Sequence, residues 1–312
     1  MKHTEKYMAQ KYFIISGVNK AGTTSLFAWL SAHPDVCASF IKQTFFFLDK
    51  EWQKSFGLNA VYDYEKGLNE FENHFRDCGS KPYKAEASPE YLFAPGTPQR
   101  LQKFFKDKDG CVIFILRKPV QRFISLYYYG KQQAIIPQQM SFAEFAEAIR
   151  RYTEDKNTSL TAYKTGFYSG YLEHWLKYFY RDKIKIYFFE DMIKDGKSFM
   201  KKVSDDIGID AYFYDTFSFE ARHKTVAVKS RFFAKLYNVP REIYIKFFYK
   251  SKTGFAIAQL LKKTVTRQYR KINMTAAEKE QLPDNVIQLL EENYAQEKKK
   301  LESLLGIHVP WD

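Results

Sequence analysis

Residues 17–26, with the sequence Gly-Val-Asn-Lys-Ala-Gly-Thr-Thr-Ser-Leu, decide the fold class of this 312-residue chain. They follow an apolar run at residues 12–16, which predicts a strand, and they lead into a helical pattern over residues 23–32. Glycines in such a loop let the backbone approach an anion closely, and the amides at a helix N-terminus supply positive potential. The stretch therefore predicts a phosphate-binding loop between a strand and a helix.

The residues of this loop supply the groups that a bound phosphate needs. The lysine places a full positive charge beside the anion, the backbone amides point at it, and three successive hydroxyl groups add further donors. The predicted binding residues are Lys20, Ala21, Gly22, Thr23, Thr24 and Ser25. The alternative interpretation is a capped strand-to-helix turn that binds nothing.

Short apolar runs alternate with helical patterns along the first three-quarters of the chain. Further strands are predicted at residues 82–85, 111–116 and 184–189. Helices are predicted at residues 98–105, 119–129, 141–151, 171–180, 191–207 and 275–305, with interruptions at Gly196 and Pro283 and a capping box formed by Ser141 and Glu144. This alternation predicts an α/β fold of the P-loop type, in which helices cover both faces of a central parallel sheet in three layers. We expect a single domain over residues 1–312.

The position of the lysine distinguishes two kinds of phosphate loop. Gly17 and Gly22 have the spacing of the nucleotide-triphosphatase motif G-x-x-x-x-G-K-[ST], but Thr23 stands where that motif has lysine. The internal Lys20 instead resembles the 5′-phosphosulfate-binding loop of sulfotransferases that use 3′-phosphoadenosine 5′-phosphosulfate (PAPS). The His-Pro pair at residues 33–34 is similar to the carbohydrate and bacterial branch of that family. The resemblance implies PAPS as the donor, adenosine 3′,5′-bisphosphate (PAP) as the product, and no metal ion.

A second motif resembles the 3′-phosphate-binding element of the same family. Arg117 ends a predicted strand, Pro119 follows two residues later and Ser125 eight residues later. An arginine can direct two N–H donors at one phosphate, and Ser125 can add a hydroxyl group from the next helix. Other family-like stretches lie at residues 83–92, 166–171, 189–191 and 300–311, so that the resemblance covers nearly the whole chain.

The group that removes the proton from the acceptor is harder to assign. Many relatives carry a glutamate in K-E-x-x-F-F, but the matching residues 42–47 read Lys-Gln-Thr-Phe-Phe-Phe. The Gln43 amide can orient a hydroxyl group but cannot accept its proton, while Lys42 is expected to contact the sulfonate oxygens. We therefore predict Glu86 as the base, with Asp49 as the alternative. A third interpretation is that Gln43 marks a catalytically impaired member.

Residues 224–271 are strongly basic and rich in aromatic residues. They contain thirteen lysines and arginines and a single acidic residue, in a chain of net charge +13. One interpretation is a solvated helical face whose aromatic residues pack on the core. The other is a surface that docks onto an anionic membrane or a charged acceptor. No nucleic-acid motif accompanies the segment, so we predict no nucleic-acid partner. We expect this segment to be inserted before the C-terminal helix.

The composition narrows the location and the chemistry. The N-terminus lacks the apolar stretch of roughly 7 to 15 residues that a signal peptide needs, so a cytoplasmic enzyme of bacterial type is expected, with peripheral contact to the inner membrane face as an option. With Cys37, Cys78 and Cys111 as the only cysteines, a disulfide framework is not expected, and no Cys–His cluster predicts a metal.

The predicted activity is transfer of a sulfonyl group from PAPS to a hydroxyl group of an oligosaccharide, a polysaccharide precursor or a glycolipid. Two alternatives stay open. A P-loop kinase would use Glu190 and Asp191 at a magnesium ion, but its lysine would be misplaced and Arg117 and Ser125 would have no role. A sulfotransferase-like protein that binds nucleotide or glycan without catalysis would account for Gln43.

Overall fold

The apolar runs of the sequence form a parallel sheet of five strands. The computed structural model describes residues 10–55, 64–133, 135–151, 162–219, 226–228, 274–276 and 280–311. Within them the strands are β1 (Lys11–Gly17), β2 (Val36–Ala38), β3 (Tyr83–Ala87), β4 (Asp109–Leu116) and β5 (Ile184–Phe188), in the order β2-β3-β1-β4-β5. Every neighbouring pair is parallel, with Ile14 of β1 opposite Glu86 on one side and Val112 on the other.

Helices connect these strands and cover both faces of the sheet. They are α1 (Thr23–Ala32), α2 (Lys50–Ser55), α3 (Asn69–Glu72), α4 (Thr97–Phe104), α5 (Pro119–Gln132), α6 (Phe142–Arg151), α7 (Tyr168–Leu176), α8 (Phe189–Lys194), α9 (Gly196–Ile207) and α10 (Asp284–Leu305). None of them, within the residues that the structure describes, has the length and apolar character needed to cross a membrane.

Alternating residues of β1 divide the core into two layers. Tyr12 and Ile14 belong to a cluster that includes Trp175 of α7. Phe13 and Ile15 belong to a second cluster, on the opposite face, that includes Leu26 of α1. Apolar side chains on both faces explain why the strands read as continuous apolar runs, as buried parallel strands do. The predicted three-layer α/β fold is thus confirmed.

Some boundaries differ from the predicted ones. The three-residue β2 was not predicted, because it is too short to show a pattern. Helix α7 begins at Tyr168 rather than at residue 171. The helix expected over residues 275–305 starts only at Asp284, directly after Pro283, because residues 274–276 instead form strand β7, which pairs antiparallel with β6 (Val226–Val228). The rest of the basic segment 224–271 lies outside the described residues.

The cysteines depart from expectation. Cys37 of β2 and Cys78 form a disulfide, with their Cα atoms 5.4 Å apart, although they are separated by 41 residues in the sequence. The expectation that the cysteines form no disulfide is therefore wrong. The pairing depends on the edge position of β2, which the sequence does not reveal. Cys111 is a free, buried cysteine in β4.

Candidate functional site

The predicted phosphate loop connects the carboxyl end of β1 to α1. Gly22 precedes the first residue of α1 with φ +89°, a conformation that L residues with side chains rarely adopt. A Cβ atom there would lie 2.7 Å from the Met192 sulfur and 3.0 Å from the Phe189 ring. Both the conformation and the close packing of α8 therefore require glycine at this position.

Lys20 lies in this loop with its charge turned toward α5. Its Nζ atom lies 4.3 Å from the centre of the Tyr129 ring, a cation–π contact. Burial, with the nearby Arg117 charge as the second cause, lowers the pKa of Lys20 to about 8. The described residues form no ion pair with Lys20, so a bound anion would supply the missing counter-charge.

Arg117 follows β4 directly and meets the phosphate loop. Its Nη1 atom donates a hydrogen bond to the Lys20 carbonyl at 3.0 Å, and its guanidinium lies 4.5 Å from the centre of the Phe189 ring. Burial lowers the pKa of Arg117. Its Nε atom is buried and has no hydrogen-bond partner among the residues that the structure describes. A buried, unpaired guanidinium N–H beside a lysine fits an anionic group such as a phosphate.

Helix α5 supplies the remaining predicted donor-site residue. Ser125 is partly exposed on α5, four residues before Tyr129. Residues four apart lie on the same helix face, so Ser125 shares the face that contacts Lys20. The structure thus brings the two motifs, which are about a hundred residues apart in the sequence, to one edge of the sheet.

Arg122 was not singled out from the sequence, although it lies within the Arg117 motif. It is only 1% exposed and donates from Nε to the Asn19 carbonyl at 3.0 Å and from Nη1 to the Thr165 carbonyl at 3.1 Å. It thereby connects the phosphate loop to the turn at residues 164–166. The sequence motif did not indicate that Arg122 is buried, so its role in connecting these two segments could not be predicted.

The segment that follows β2 forms the other half of the site. Lys42 donates from Nζ to the Thr24 hydroxyl group of the phosphate loop at 2.9 Å. Burial lowers the pKa of Lys42 to about 8, against the opposing effect of Glu90 and Glu86. Lys42 therefore joins the phosphate loop to two carboxylates.

Glu86, the predicted base, is fully buried at the carboxyl end of β3. Its Oε1 atom accepts hydrogen bonds from the Thr44 backbone amide at 3.0 Å, from the Thr44 hydroxyl group at 3.1 Å and from the Ser88 hydroxyl group. Its Oε2 atom is buried without a hydrogen-bond partner among the described residues. Burial raises the pKa of Glu86 to about 7.

A second carboxylate, Glu90, lies beside Gln43 and was not predicted. It belongs to a short 3-10 helix, Pro89–Leu92, directly after β3. Its Oε2 atom is 3.5 Å from the Gln43 Nε2 atom, the outer limit of a hydrogen bond. The sequence signal was present in the family-like stretch 83–92, four residues after Glu86.

The other acidic candidates are engaged elsewhere. Asp49 accepts a hydrogen bond from the Gly96 amide at 2.9 Å and pairs with Arg100 at 2.8 Å, near the start of α4. Glu190, which a kinase would need for magnesium, accepts from the Lys118 amide at 2.9 Å and from the Trp311 indole at 3.2 Å. Both carboxylates thus have structural partners.

The chain matches a known protein family over most of its length. The family model described as "Sulfotransferase domain" matches residues 10–296. Human heparan sulfate glucosamine 3-O-sulfotransferase 6 is 28% identical over 206 residues, which are 64% of this chain and 54% of that protein. Mouse heparan sulfate glucosamine 3-O-sulfotransferase 3B1 is 30% identical over 210 residues, or 64% and 48% of the two chains. The chain thus spans about half the length of the curated relatives it matches.

A solved structure supports the fold over the full length. The sulfotransferase from Alicyclobacillus acidocaldarius superimposes with a TM-score of 0.66 at 20% sequence identity. The superposition covers 96% of this chain and 98% of the other. At 20% sequence identity, this structural similarity is evidence for the fold alone.

Proposed function

This chain belongs to the sulfotransferase family, and from that premise we propose that it transfers a sulfonyl group from PAPS to an acceptor hydroxyl group and releases PAP. The proposal rests on the contact between Arg117 and Lys20 in the structure. Arg117 binds the Lys20 carbonyl yet keeps a buried, unpaired Nε–H, and the Lys20 charge has no counter-ion among the described residues. Two cationic groups held in this way favour a ligand with two phosphates.

The donor-binding roles follow from position. The 5′-phosphosulfate would be held by the backbone of Ala21, Gly22 and Thr23 and by the hydroxyl groups of Thr24 and Ser25, at the N-terminus of α1. Arg117 and Ser125 would hold the 3′-phosphate. Lys20 would neutralise the charge that grows on the departing phosphate, and Lys42, already bound to Thr24, would contact the sulfonate oxygens.

The acceptor class is proposed from the relatives. The heparan sulfate sulfotransferases that match 64% of this chain support a hydroxyl group on a glycan, which includes oligosaccharides, polysaccharide precursors and glycolipids. The basic segment 224–271 would suit an acidic acceptor or an anionic membrane by its charge. A cytoplasmic location is also proposed, and the Cys37–Cys78 disulfide stands against it, because disulfides are typical of oxidising compartments.

A second candidate function rests on Gln43. An amide where many relatives carry the basic glutamate favours a protein that binds PAP or a glycan without turnover. The two candidates differ in one measurable property, which is transfer.

The test combines binding and transfer. PAP is titrated calorimetrically, and radiolabelled PAPS is incubated with a panel of soluble glycans, glycolipids and phenols. We expect PAP binding and label incorporation into a glycan. Tight PAP binding without transfer to any acceptor would favour the non-catalytic candidate, whereas absence of PAP binding together with magnesium-dependent use of ATP would favour a kinase.

A further inference from the structure

The proton of the acceptor hydroxyl group needs a base, and the structure offers one that its sequence position did not suggest. We infer that Glu90 takes this proton, in the role that Gln43 cannot fill. The inference rests on the proposed sulfonyl transfer and names the residue that acts as its general base.

The first argument is the position of Glu90 relative to the phosphate loop. Thr24 accepts a hydrogen bond from Lys42, and the Lys42 ammonium interacts electrostatically with the Glu90 carboxylate. One hydrogen bond therefore links the loop to Lys42, and one electrostatic interaction links Lys42 to Glu90. A hydroxyl group that approaches a sulfonate held by the loop and Lys42 would enter next to this carboxylate.

The second argument is the contact between Glu90 and Gln43. The 3.5 Å separation of Gln43 Nε2 and Glu90 Oε2 places the Glu90 carboxylate beside the position that carries the basic glutamate in many relatives. The Gln43 amide N–H is directed at one oxygen of this carboxylate. Gln43 thus orients the Glu90 carboxylate, which can accept a proton, whereas the Gln43 amide cannot.

The third argument is access. Glu86 has no exposed surface, and one of its oxygens already accepts three hydrogen bonds. An acceptor hydroxyl group cannot contact it in this conformation. Glu90 is 8% exposed, on the turn that leaves β3. Glu86 is therefore a positioning residue, which fixes the Thr44 backbone next to Gln43, and Glu90 is the catalytic carboxylate.

The chemical step balances with these groups alone. The acceptor oxygen forms a bond to sulfur while its proton moves to a Glu90 carboxylate oxygen. The bond between sulfur and the bridging oxygen of the donor breaks, and its electron pair stays on the 5′-phosphate of PAP beside Lys20. Glu90 then loses the proton to solvent.

The test uses the full-length chain and the glycan that gives the highest wild-type rate in the acceptor panel. Three variants are compared, which are Glu90→Gln, Glu86→Gln and the double variant Gln43→Glu/Glu90→Gln. Glu90→Gln should lower kcat by about 10² to 10⁴, the usual contribution of a general base, while PAP affinity stays within about twofold. Glu86→Gln should keep kcat within about tenfold, because the amide oxygen can still accept from Thr44.

The double variant separates a catalytic role from a structural one. It returns a carboxylate to the same place from position 43, so it should regain most of the kcat that Glu90→Gln loses. Full kcat in Glu90→Gln, or a large loss confined to Glu86→Gln, would overturn the inference and leave the proposed function standing. A wild-type chain that binds PAP and transfers nothing would overturn both.

Discussion

The two halves of the site differ in how their charges are balanced. On the donor side, Lys20 and Arg117 approach each other with Glu190 as a nearby carboxylate. Among the described residues neither of them forms an ion pair, and the Arg117 Nε–H has no hydrogen-bond partner. On the acceptor side, Lys42 lies among Glu86, Glu90 and the Thr24 hydroxyl group. The donor side is incomplete without an external anion, whereas the acceptor side is neutralised by the protein itself. The charge balance therefore suits an anionic group on one side and a neutral hydroxyl group on the other.

Removing the donor-side lysine should give the largest effect. Lys20→Ala should lower kcat by about 10² to 10³, because the charge on the departing phosphate would grow without its neighbouring ammonium. Steady-state transfer kinetics measure the loss. Lys106→Ala, an exposed lysine near the opposite end of β4, is the matched control and should be silent. Near-normal turnover of Lys20→Ala would refute the assignment of the loop.

Arg117 provides a sharper comparison within the donor side. Arg117→Ala should weaken PAP binding by about 10- to 100-fold, the range expected for a charge-assisted hydrogen-bond partner, and should affect AMP much less because AMP lacks the 3′-phosphate. Calorimetric titration of both ligands measures the difference, with Arg181→Ala as the control arginine. Equal losses of affinity for PAP and AMP would show that Arg117 stabilises the structure and does not bind the 3′-phosphate.

The conformation of the loop can be tested by adding one methyl group at position 22. Gly22→Ala should destabilise the protein by about 2 kcal/mol or more, because its φ of +89° is strained for alanine and its Cβ would overlap Met192. Thermal or denaturant unfolding measures this change. Gly170→Ala in α7 is the control, since a Cβ there meets no described atom within 4 Å, and alanine should be neutral or slightly stabilising. Equal stabilities of the two variants would contradict the packing described for Gly22.

The smallest effect concerns pH. The pKa values of Lys20 and Lys42 are both lowered to about 8, and a bound anion favours the protonated ammonium. Because PAP lacks the sulfonate that Lys42 is proposed to contact, its binding should take up a proton at Lys20 near pH 8 and weaken by about tenfold between pH 7 and 9. Calorimetry in buffers of different ionisation enthalpy counts these protons. Lys20→Arg should reduce the pH dependence, and a wild-type affinity that is flat over this range would exclude Lys20 from the anion site.

The sequence predicted the parts of the fold that are locally encoded. Strand β4 is a continuous apolar run and α1 follows a glycine-rich turn, so both were recognisable without knowledge of their neighbours. Strand β7 was mistaken for helix because its partner β6 is 48 residues away, and the Cys37–Cys78 disulfide depends on how the edge of the sheet meets a distant loop. Such pairings are decided by tertiary structure.

The same distinction applies to the site. The residues of the phosphate loop are consecutive, and Arg117 donates a hydrogen bond to the loop in the structure. On the acceptor side, Glu86 was predicted as the base, with Asp49 as the alternative, from residue type and position alone, and Glu90 was not predicted. The complete burial of Glu86, against 8% exposure of Glu90, could not be read from residues 86–90, because the segment at residues 42–44 that covers Glu86 comes from another part of the chain.

The buried Arg122 has a consequence for how quickly and tightly the donor associates. Its hydrogen bonds connect the Asn19 backbone to the turn at residues 164–166, and they form without a bound ligand. The conformational entropy of the loop is thus lost when the chain folds, not when the donor arrives. A ligand that meets a rigid loop loses less of its binding free energy to ordering the protein, and its association does not wait for a rearrangement.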